Sequence, residues 1–322
     1  MKAIVYASAG SPDAVRCEEI QKPTPGDGEV LIKVRAASVN PADWRVLTAP
    51  PAIRRVMFRI GKAKVKRPGY DVAGQVEAVG ANVTRLKPGD EVFGVCHGAF
   101  AEYACTAETK LAIKPPGVTF EQAASVPIAA VTALQGLRDH AHLQPGQNVL
   151  INGAAGGVGT FSVQIAKSLG AQVTGVCSTG NVEMVRSLGA DRVIDYTRED
   201  FTQDAQRYDV ILDNVGNRSL SACRRVMKPN GICVMAGAPK EFWIILARML
   251  QAPVVSWLGS RKFIFFIARI KSEDLGILGE LMAAGTVTPI IDRRYPLSQV
   301  AEALRYLETG HARAKVVISV SD

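Results

Sequence analysis

Asn148-Val149-Leu150-Ile151-Asn152, followed by Gly153-Ala154-Ala155-Gly156-Gly157-Val158-Gly159, decides how this chain is read. The first five residues make a short apolar run with the length of a buried strand. The turn after it carries four glycines in seven residues, and a helical pattern then runs to Leu169. Strand, Gly-rich turn and helix in that order suit a dinucleotide pyrophosphate. Glycines let backbone N–H groups approach the phosphates, and the helix N-terminus supplies partial positive charge. A Gly-rich turn by itself also marks ordinary loops, so the flanking elements carry the inference.

Working outward, the unit repeats. A strand over Gln172 to Cys177 precedes a helix over Val182 to Leu188 and a strand over Arg192 to Ile194. A strand over Tyr208 to Asp213, a helix over Asn217 to Val226 and a strand over Ile232 to Ala236 follow. Buried strands alternating with helices predict a doubly wound parallel sheet. The first third differs. Val30-Leu31-Ile32-Lys33-Val34-Arg35 and Gly74-Gln75-Val76-Glu77-Ala78-Val79 alternate at period two between turns such as Lys87-Pro88-Gly89-Asp90. That pattern predicts a small, irregular β domain. After a helix to Ala284, the chain from Val287 returns to strand, helix and strand, closing on Lys315-Val316-Val317-Ile318-Ser319-Val320.

The 322 residues suffice for about two domains. Their composition, 48% hydrophobic and 21% charged, excludes a disordered chain, a collagen and a coiled coil. Six scattered Cys do not make a disulfide framework, and the chain reads as reduced and cytoplasmic. The N-terminus shows no secretory pattern, and no uncharged stretch is long and apolar enough to span a bilayer. His97, His140, His142 and His311 form no triad motif, and there is no Gly-x-Ser-x-Gly elbow, so nothing points to a hydrolase.

Gly146-Gln147, Leu150, Ala154-Ala155-Gly156-Gly157, Gly159, Gln164 and Lys167 resemble the quinone oxidoreductase (zeta-crystallin-like) signature of the medium-chain dehydrogenases/reductases. Val126-Pro127-Ile128-Ala129-Ala130-Val131-Thr132-Ala133 resembles that family's helix beneath the nicotinamide, and Ser38-Val39-Asn40-Pro41-Ala42-Asp43 its N-terminal active-site turn. The resemblance covers essentially the whole chain. It implies an α/β protein: a GroES-like catalytic domain over 1–119 and 285–322, and a Rossmann NADP-binding domain inserted over 120–284, with the active site in the cleft. It implies cofactor contacts from Thr132, Ala155, Gly156, Gly157 and Val158. It further implies Asn217 near a ribose, Ala236 and Gly237 along the nicotinamide, and Lys315 reaching the cofactor or a backbone carbonyl.

An NAD site places an acid at the end of the second strand, where it binds the ribose 2′-OH. Here that strand ends in Cys177-Ser178-Thr179-Gly180-Asn181, and the first acid is Glu183. Small hydroxyl residues accommodate a 2′-phosphate, so NADPH is the expected cofactor, with Ser178, Thr179 and Asn181 around its adenosine end. By resemblance, Tyr196 packs near the 2′-phosphate. Gly180 and Asn181 stand where relatives often carry a basic residue, which leaves a dual-specificity pocket as the alternative.

Zinc-dependent relatives polarise substrate oxygen on a metal. By resemblance, Asn40 and Tyr70 occupy the first two ligand positions here. An amide and a phenol are poor zinc ligands, and the four-Cys structural loop is missing. Cys96-His97 is the one tempting pair, but neighbours on a strand face opposite ways, so one should pack and the other be exposed. No metal is expected. Without a Lewis acid, conjugated acceptors are the easier substrates, because a quinone or enone spreads incoming charge onto an oxygen that a few donors can hold. Asn40 and Tyr70 are the candidate donors and Asp43 the candidate orienter or proton relay. The plain structural roles are a turn for Asn40, a helix cap for Asp43 and core packing for Tyr70.

The expected activity is hydride transfer from NADPH to a quinone or an α,β-unsaturated carbonyl. The alternatives are an NAD(P)-dependent alcohol dehydrogenase and an NADPH-binding scaffold without turnover. The net charge of +8 is concentrated in two patches, Arg54 to Arg67 and Lys240 to Lys271, the second rich in Trp and Phe. A homodimer interface with an acceptor wall explains that composition. Peripheral contact with an anionic membrane is the sharper reading. No nucleic-acid recognition module is present.

Overall fold

In the computed structural model, residues 1–6, 11–48, 67–237, 247, 250–253, 255–256 and 259–320 are described. The Arg54–Lys66 stretch and most of 239–258 lie outside them, so of the two basic, apolar patches little is described beyond the end of the second, from Gly259 on. The first part of the chain forms β1 (Lys2–Tyr6), β2 (Val15–Glu19), β3 (Glu29–Val39), β4 (Asp71–Val79), β5 (Glu91–Val95), β6 (Tyr103–Ala107) and β7 (Leu111–Ile113). The middle forms β8 (Asn148–Asn152), β9 (Gln172–Cys177), β10 (Arg192–Asp195), β11 (Tyr208–Asp213), β12 (Met227–Met235) and β13 (Lys262–Phe265). The end adds β14 (Ile291–Pro296) and β15 (Lys315–Ser319). The helices are α1 (Pro41–Thr48), α2 (Phe120–Ala124), α3 (Pro127–Gln135), α4 (Gly157–Ser168), α5 (Val182–Ser187), α6 (Leu220–Val226), α7 (Ser272–Ala283) and α8 (Val300–Glu308).

Two units result: Met1–Ala129 with Ile270–Asp322, and Ala130–Arg269. Helices α2 and α7 therefore belong with the first unit, whereas the sequence pattern puts them with the second. The reason is packing: α2 lies on β3 and β4, and α7 on β7. A helix's own periodicity does not say which sheet it covers.

The first unit is built on β3. This eleven-residue strand pairs antiparallel with β4, β6 and β15. Its sheet runs β14-β15-β3-β4-β5-β7, with β6 on β3. The alternating residues read from the sequence supply its core: Val30, Ile32, Val34, Val72, Val76, Val316 and Ile318 are all buried. Both ends of the chain thus meet on one strand, with Val316 opposite Val39 and Asp71 opposite Ser38. Because these pairings are antiparallel, the end of β3, the start of β4 and the start of β15 converge.

The second unit is a six-stranded parallel sheet ordered β10-β9-β8-β11-β12-β13. Val149, Leu150 and Ile151 at its centre are fully buried, as a strand covered on both faces requires. Strand order reverses at β8, so the carboxyl ends of β8 and β11 form the switch point where doubly wound sheets bind ligands. One expected boundary shifts. Helix α6 starts at Leu220, not Asn217, because Ser219 is its N-cap and accepts from the Ala222 N–H at 3.2 Å. No described helix is long and apolar enough to cross a membrane.

Candidate active site

Asn40 follows β3 and caps α1. Asp43, three residues on, reaches back so that its Oδ2 accepts from the Asn40 N–H at 2.7 Å, which is half of a capping box. Its Oδ1 accepts from the Gly69 N–H at 3.2 Å. Asp43 is therefore a helix cap that also ties α1 to the turn before β4. That turn requires glycine: Gly69 has φ +99°, and a Cβ there would lie 2.7 Å from the Phe100 backbone nitrogen. Burial pushes the Asp43 carboxyl up to about 7; its two N–H donors and Lys315 oppose the shift, and Asp71 adds to it.

Beside it lies a fully buried polar hub. Asp71 Oδ2 accepts from Ser38 Oγ at 2.7 Å, Asn40 Nδ2 at 2.8 Å and Lys315 Nζ at 3.2 Å. Asp71 Oδ1 accepts from the Ile128 N–H at 3.0 Å, at the start of α3. Lys315 Nζ also donates to Asn40 Oδ1 at 2.7 Å. This changes the expected role of Asn40. Its oxygen is taken by Lys315 and its nitrogen by Asp71 and the Ser38 carbonyl, so its donors point inward. It orients a buried ammonium rather than presenting an amide. Lys315, expected to reach the cofactor or a backbone carbonyl, is held by two side chains within the first unit.

Tyr70 is half-buried and stacks edge-on against His97, with ring centroids 5.3 Å apart. Its hydroxyl has no hydrogen-bond partner among the described residues. Burial first, then the nearby Asp43 and Tyr6, raise its pKa to about 12, so the phenol stays protonated as a donor at any working pH. Trp44 Nε1 is a second buried donor with no partner among the described residues. Ser38, Trp44 and Asp71 escaped the sequence reading. A signal for Asp71 and Lys315 existed: each heads an apolar strand, and two opposite charges in such positions need each other.

The donor set does not suit zinc. Asn40 is saturated, and a lysine ammonium already sits on its oxygen. Cys96 is buried and His97 exposed, so they do not converge. Among the described residues no three His, Cys, Asp or Glu side chains gather as a metal site.

In the second unit, β8 leads through the Gly153 turn into α4. Gly159 is required there, since a Cβ would stand 2.0 Å from the Gly153 carbonyl oxygen and 2.7 Å from Ala154 Cα. The helix is therefore pressed against the turn, and no side chain caps it at Gly156. Ala155 is buried, and Gly156, Gly157 and Val158 are partly exposed. At the switch point Asn152 Nδ2 donates to Asp213 Oδ1 at 2.8 Å and to Asn217 Oδ1 at 3.0 Å. Asn152, which joins Asn217 to Asp213, was not foreseen. Asp213 Oδ1 also accepts the Val215 and Gly216 N–H groups, which shapes the loop after β11. Ala236 and Gly237 leave β12 with both N–H groups on the Asp213 carbonyl. The buried amide of Asn214 has no partner for either polar atom among the described residues. An uncapped helix, a crowded glycine turn and an orphaned amide fit a dinucleotide. Thr132 lies buried on α3. At the ends of β9 and β10, Ser178, Thr179, Asn181 and Tyr196 come together; Asn181 Nδ2 donates to Ser178 Oγ at 3.0 Å, and Tyr196 is 47% exposed.

Comparison with known proteins agrees with this geometry. Residues 26–117 match the alcohol dehydrogenase GroES-like domain and residues 188–318 the zinc-binding dehydrogenase domain. The chain is 36% identical to 2-methylene-furan-3-one reductase of Solanum lycopersicum, over 99% of this chain and 79% of the relative. It is 35% identical to the chloroplastic NADPH-dependent alkenal/one oxidoreductase of Arabidopsis thaliana, with the same coverage. The solved quinone oxidoreductase from Coxiella burnetii superposes with a TM-score of 0.85 at 30% identity, covering 100% of this chain and 99% of that one. By these similarities over nearly its whole length, the chain belongs to the zinc-independent quinone oxidoreductase family of the medium-chain dehydrogenases/reductases.

Proposed function

We propose that this protein is an NADPH-dependent, zinc-independent reductase of quinones and α,β-unsaturated carbonyls. The observation that carries the reading is the buried Lys315–Asn40–Asp71 cluster, in which an ion pair occupies the groups a metal-dependent relative would need as ligands. The names of the relatives supply the acceptor class. Bound NADPH would supply the hydride. The Gly153–Gly159 turn and the α4 N-terminus would hold its pyrophosphate, with Ala155, Gly156, Gly157 and Val158 contributing backbone. Thr132, Asn217, Ala236 and Gly237 would line its nicotinamide half, and Ser178, Thr179, Asn181 and Tyr196 its adenosine half.

Tyr70 is the proposed catalytic donor. Its protonated hydroxyl would hydrogen-bond the acceptor oxygen as negative charge develops there. Asn40, Asp71 and Lys315 are positioning residues: the amide and carboxylate hold the ammonium in one place, and the three together fix the turn after β3. Asp43 holds the Asn40 turn and the Gly69 turn in register, and so sets where Tyr70 stands.

The test is NADPH oxidation followed optically with a panel of alkenals, enones and quinones after exhaustive chelation. Turnover should survive chelation. Loss of turnover restored by zinc would overturn the reading, as would preferential oxidation of simple alcohols. Tight NADPH binding without turnover on any acceptor would favour a scaffold.

Two finer parts of the proposal concern partners. A homodimer is supported by β13, the last strand of its sheet among the described residues, and by the 71% exposed Ile267 beyond it; sedimentation tests it. Peripheral membrane contact rests on the composition of the two basic stretches alone. Co-sedimentation with anionic vesicles at low salt tests it, and should fall when Arg54, Arg55 and Arg59 are changed to Ser.

A further inference from the structure

Strand β9 ends without an acid, and that absence led the sequence reading to NADPH. The fold restores a carboxylate from the neighbouring strand. β9 and β10 run parallel with Cys177 opposite Asp195, so both chains leave the sheet side by side. Thr179 Oγ1 donates to Asp195 Oδ2 at 2.5 Å, and Thr197 Oγ1 donates to Asp195 Oδ1 at 2.8 Å. The two threonine oxygens lie 2.9 Å apart. Each hydroxyl has one hydrogen. Whether given to the carboxylate or shared between the two hydroxyls, both hydrogens are used within the cluster, so Thr179 and Thr197 present lone pairs, not donors, to anything approaching from outside. Ser178 differs: its Oγ accepts from Asn181, so its own hydrogen remains available. Arg198 is 75% exposed, and its Nε lies 3.6 Å from Asp195 Oδ2, which draws that cation toward the carboxylate. The hydrogen bonds from Thr179 and Thr197, with Arg198, keep Asp195 ionised by lowering its pKa.

The end of the second strand is where a doubly wound fold reads the 2′ substituent of the adenosine ribose. We infer that Asp195 is a specificity-determining residue that weakens binding of the 2′-phosphate and leaves the site able to accept NADH as well. It acts in three ways: it takes the hydroxyl hydrogens of Thr179 and Thr197, it draws in Arg198, and its charge opposes the phosphate. The inference rests on the proposed nicotinamide cofactor and deepens it.

Asp195→Asn is the informative variant, because asparagine keeps the turn in which Oδ1 accepts the Thr197 N–H. Dissociation constants for NADPH and NADH are measured by nicotinamide fluorescence, with no acceptor present. The wild type should bind both. In Asp195→Asn, NADPH should bind roughly five-fold more tightly, while NADH changes less than about two-fold. The gain should shrink as salt is raised, because exposed charges are screened over about 10 Å at 0.1 M. A purely structural role would show no such salt dependence. Thr179→Val should barely alter NADPH binding in the wild type but weaken it several-fold in the Asp195→Asn background, a coupling that a double-mutant cycle reads directly. An unchanged NADPH-to-NADH ratio, or a shift toward NADH, overturns the inference while leaving the cofactor reading intact. A wild type that binds neither nucleotide overturns both.

Discussion

Two clusters of the same chemical groups behave in opposite ways in this molecule. At the junction of β3, β4 and β15, Asn40, Asp43, Asp71 and Lys315 are sealed from water; at the ends of β9 and β10, Thr179 and Thr197 are exposed, and Ser178 and Asp195 are half-buried beside them. Asp43 and Asp195 each accept two hydrogen bonds or more, yet full burial drives the first carboxyl up to about 7, while donors around the part-exposed second draw it down. Exposure, not partner count, decides the sign. The buried cluster should therefore govern stability and charge at the reacting end, and the exposed cluster should tune which nucleotide is preferred.

The sharpest way to break this contrast is to remove one buried partner. Lys315→Met leaves the Asp71 carboxylate unpaired in the core and should cost about 3–5 kcal/mol in denaturant unfolding. The double variant Lys315→Met with Asp71→Leu should recover a good part of that loss, because no uncompensated charge remains. Asp195→Asn should shift the unfolding midpoint far less than Lys315→Met does. Comparable losses at both sites would refute the division.

Next in size is Tyr70→Phe. It removes the one hydroxyl assigned to the acceptor oxygen and should lower kcat about a hundred-fold. The NADPH dissociation constant should stay unchanged. A fall in cofactor affinity with kcat intact would assign Tyr70 to packing instead.

The pH dependence of stability follows from Asp43. Its folded pKa lies above the unfolded value of 3.8, so the folded state holds the proton more tightly. Stability should fall as pH rises from about 4 to about 7, by up to a few kcal/mol, and then level off. His97 works the other way: partial desolvation, with Lys110 and Arg67 nearby, lowers its pKa, so folding is favoured as pH rises through its ordinary value of 6.5. The wild type should therefore be compared with Asp43→Asn, whose profile should lack the Asp43 fall. Parallel profiles would show that Asp43 does not titrate in this window.

The smallest expected effect lies at the exposed cluster. Ser178→Asp adds a second carboxylate beside Asp195 and should shift preference toward NADH by about ten-fold in the ratio of dissociation constants. Titration of nicotinamide fluorescence reads it, and an unchanged ratio would place the 2′ substituent elsewhere.

Much of this was legible in the residues. The Asn148–Gly159 stretch announced strand, turn and helix because apolar runs and glycines act locally, and the period-two segments announced the β unit for the same reason. Asn40, Asp43 and Tyr70 were singled out by motif, and all three lie around one turn. What motif could not say is which way they face. Asn40 was expected to offer a donor, and its amide is instead consumed by Lys315, 275 residues away in sequence. Asp71 escaped that reading altogether, although it gathers donors from the end of β3, from α3 and from β15.

Sequence by itself determined the element types, the glycine cradle and the poor zinc-ligand chemistry, since each depends on residues near one another in the chain. Tertiary structure alone decided the pairings. Lys315 meets Asp71 because β15 and β4 both flank β3, and Asp195 meets Thr179 because β10 is the neighbour of β9. Strand order is a property of the whole sheet. Periodicity within a strand reports which face is buried, but carries no record of the strand lying beside it, so the charge that completes each cluster had to come from the fold.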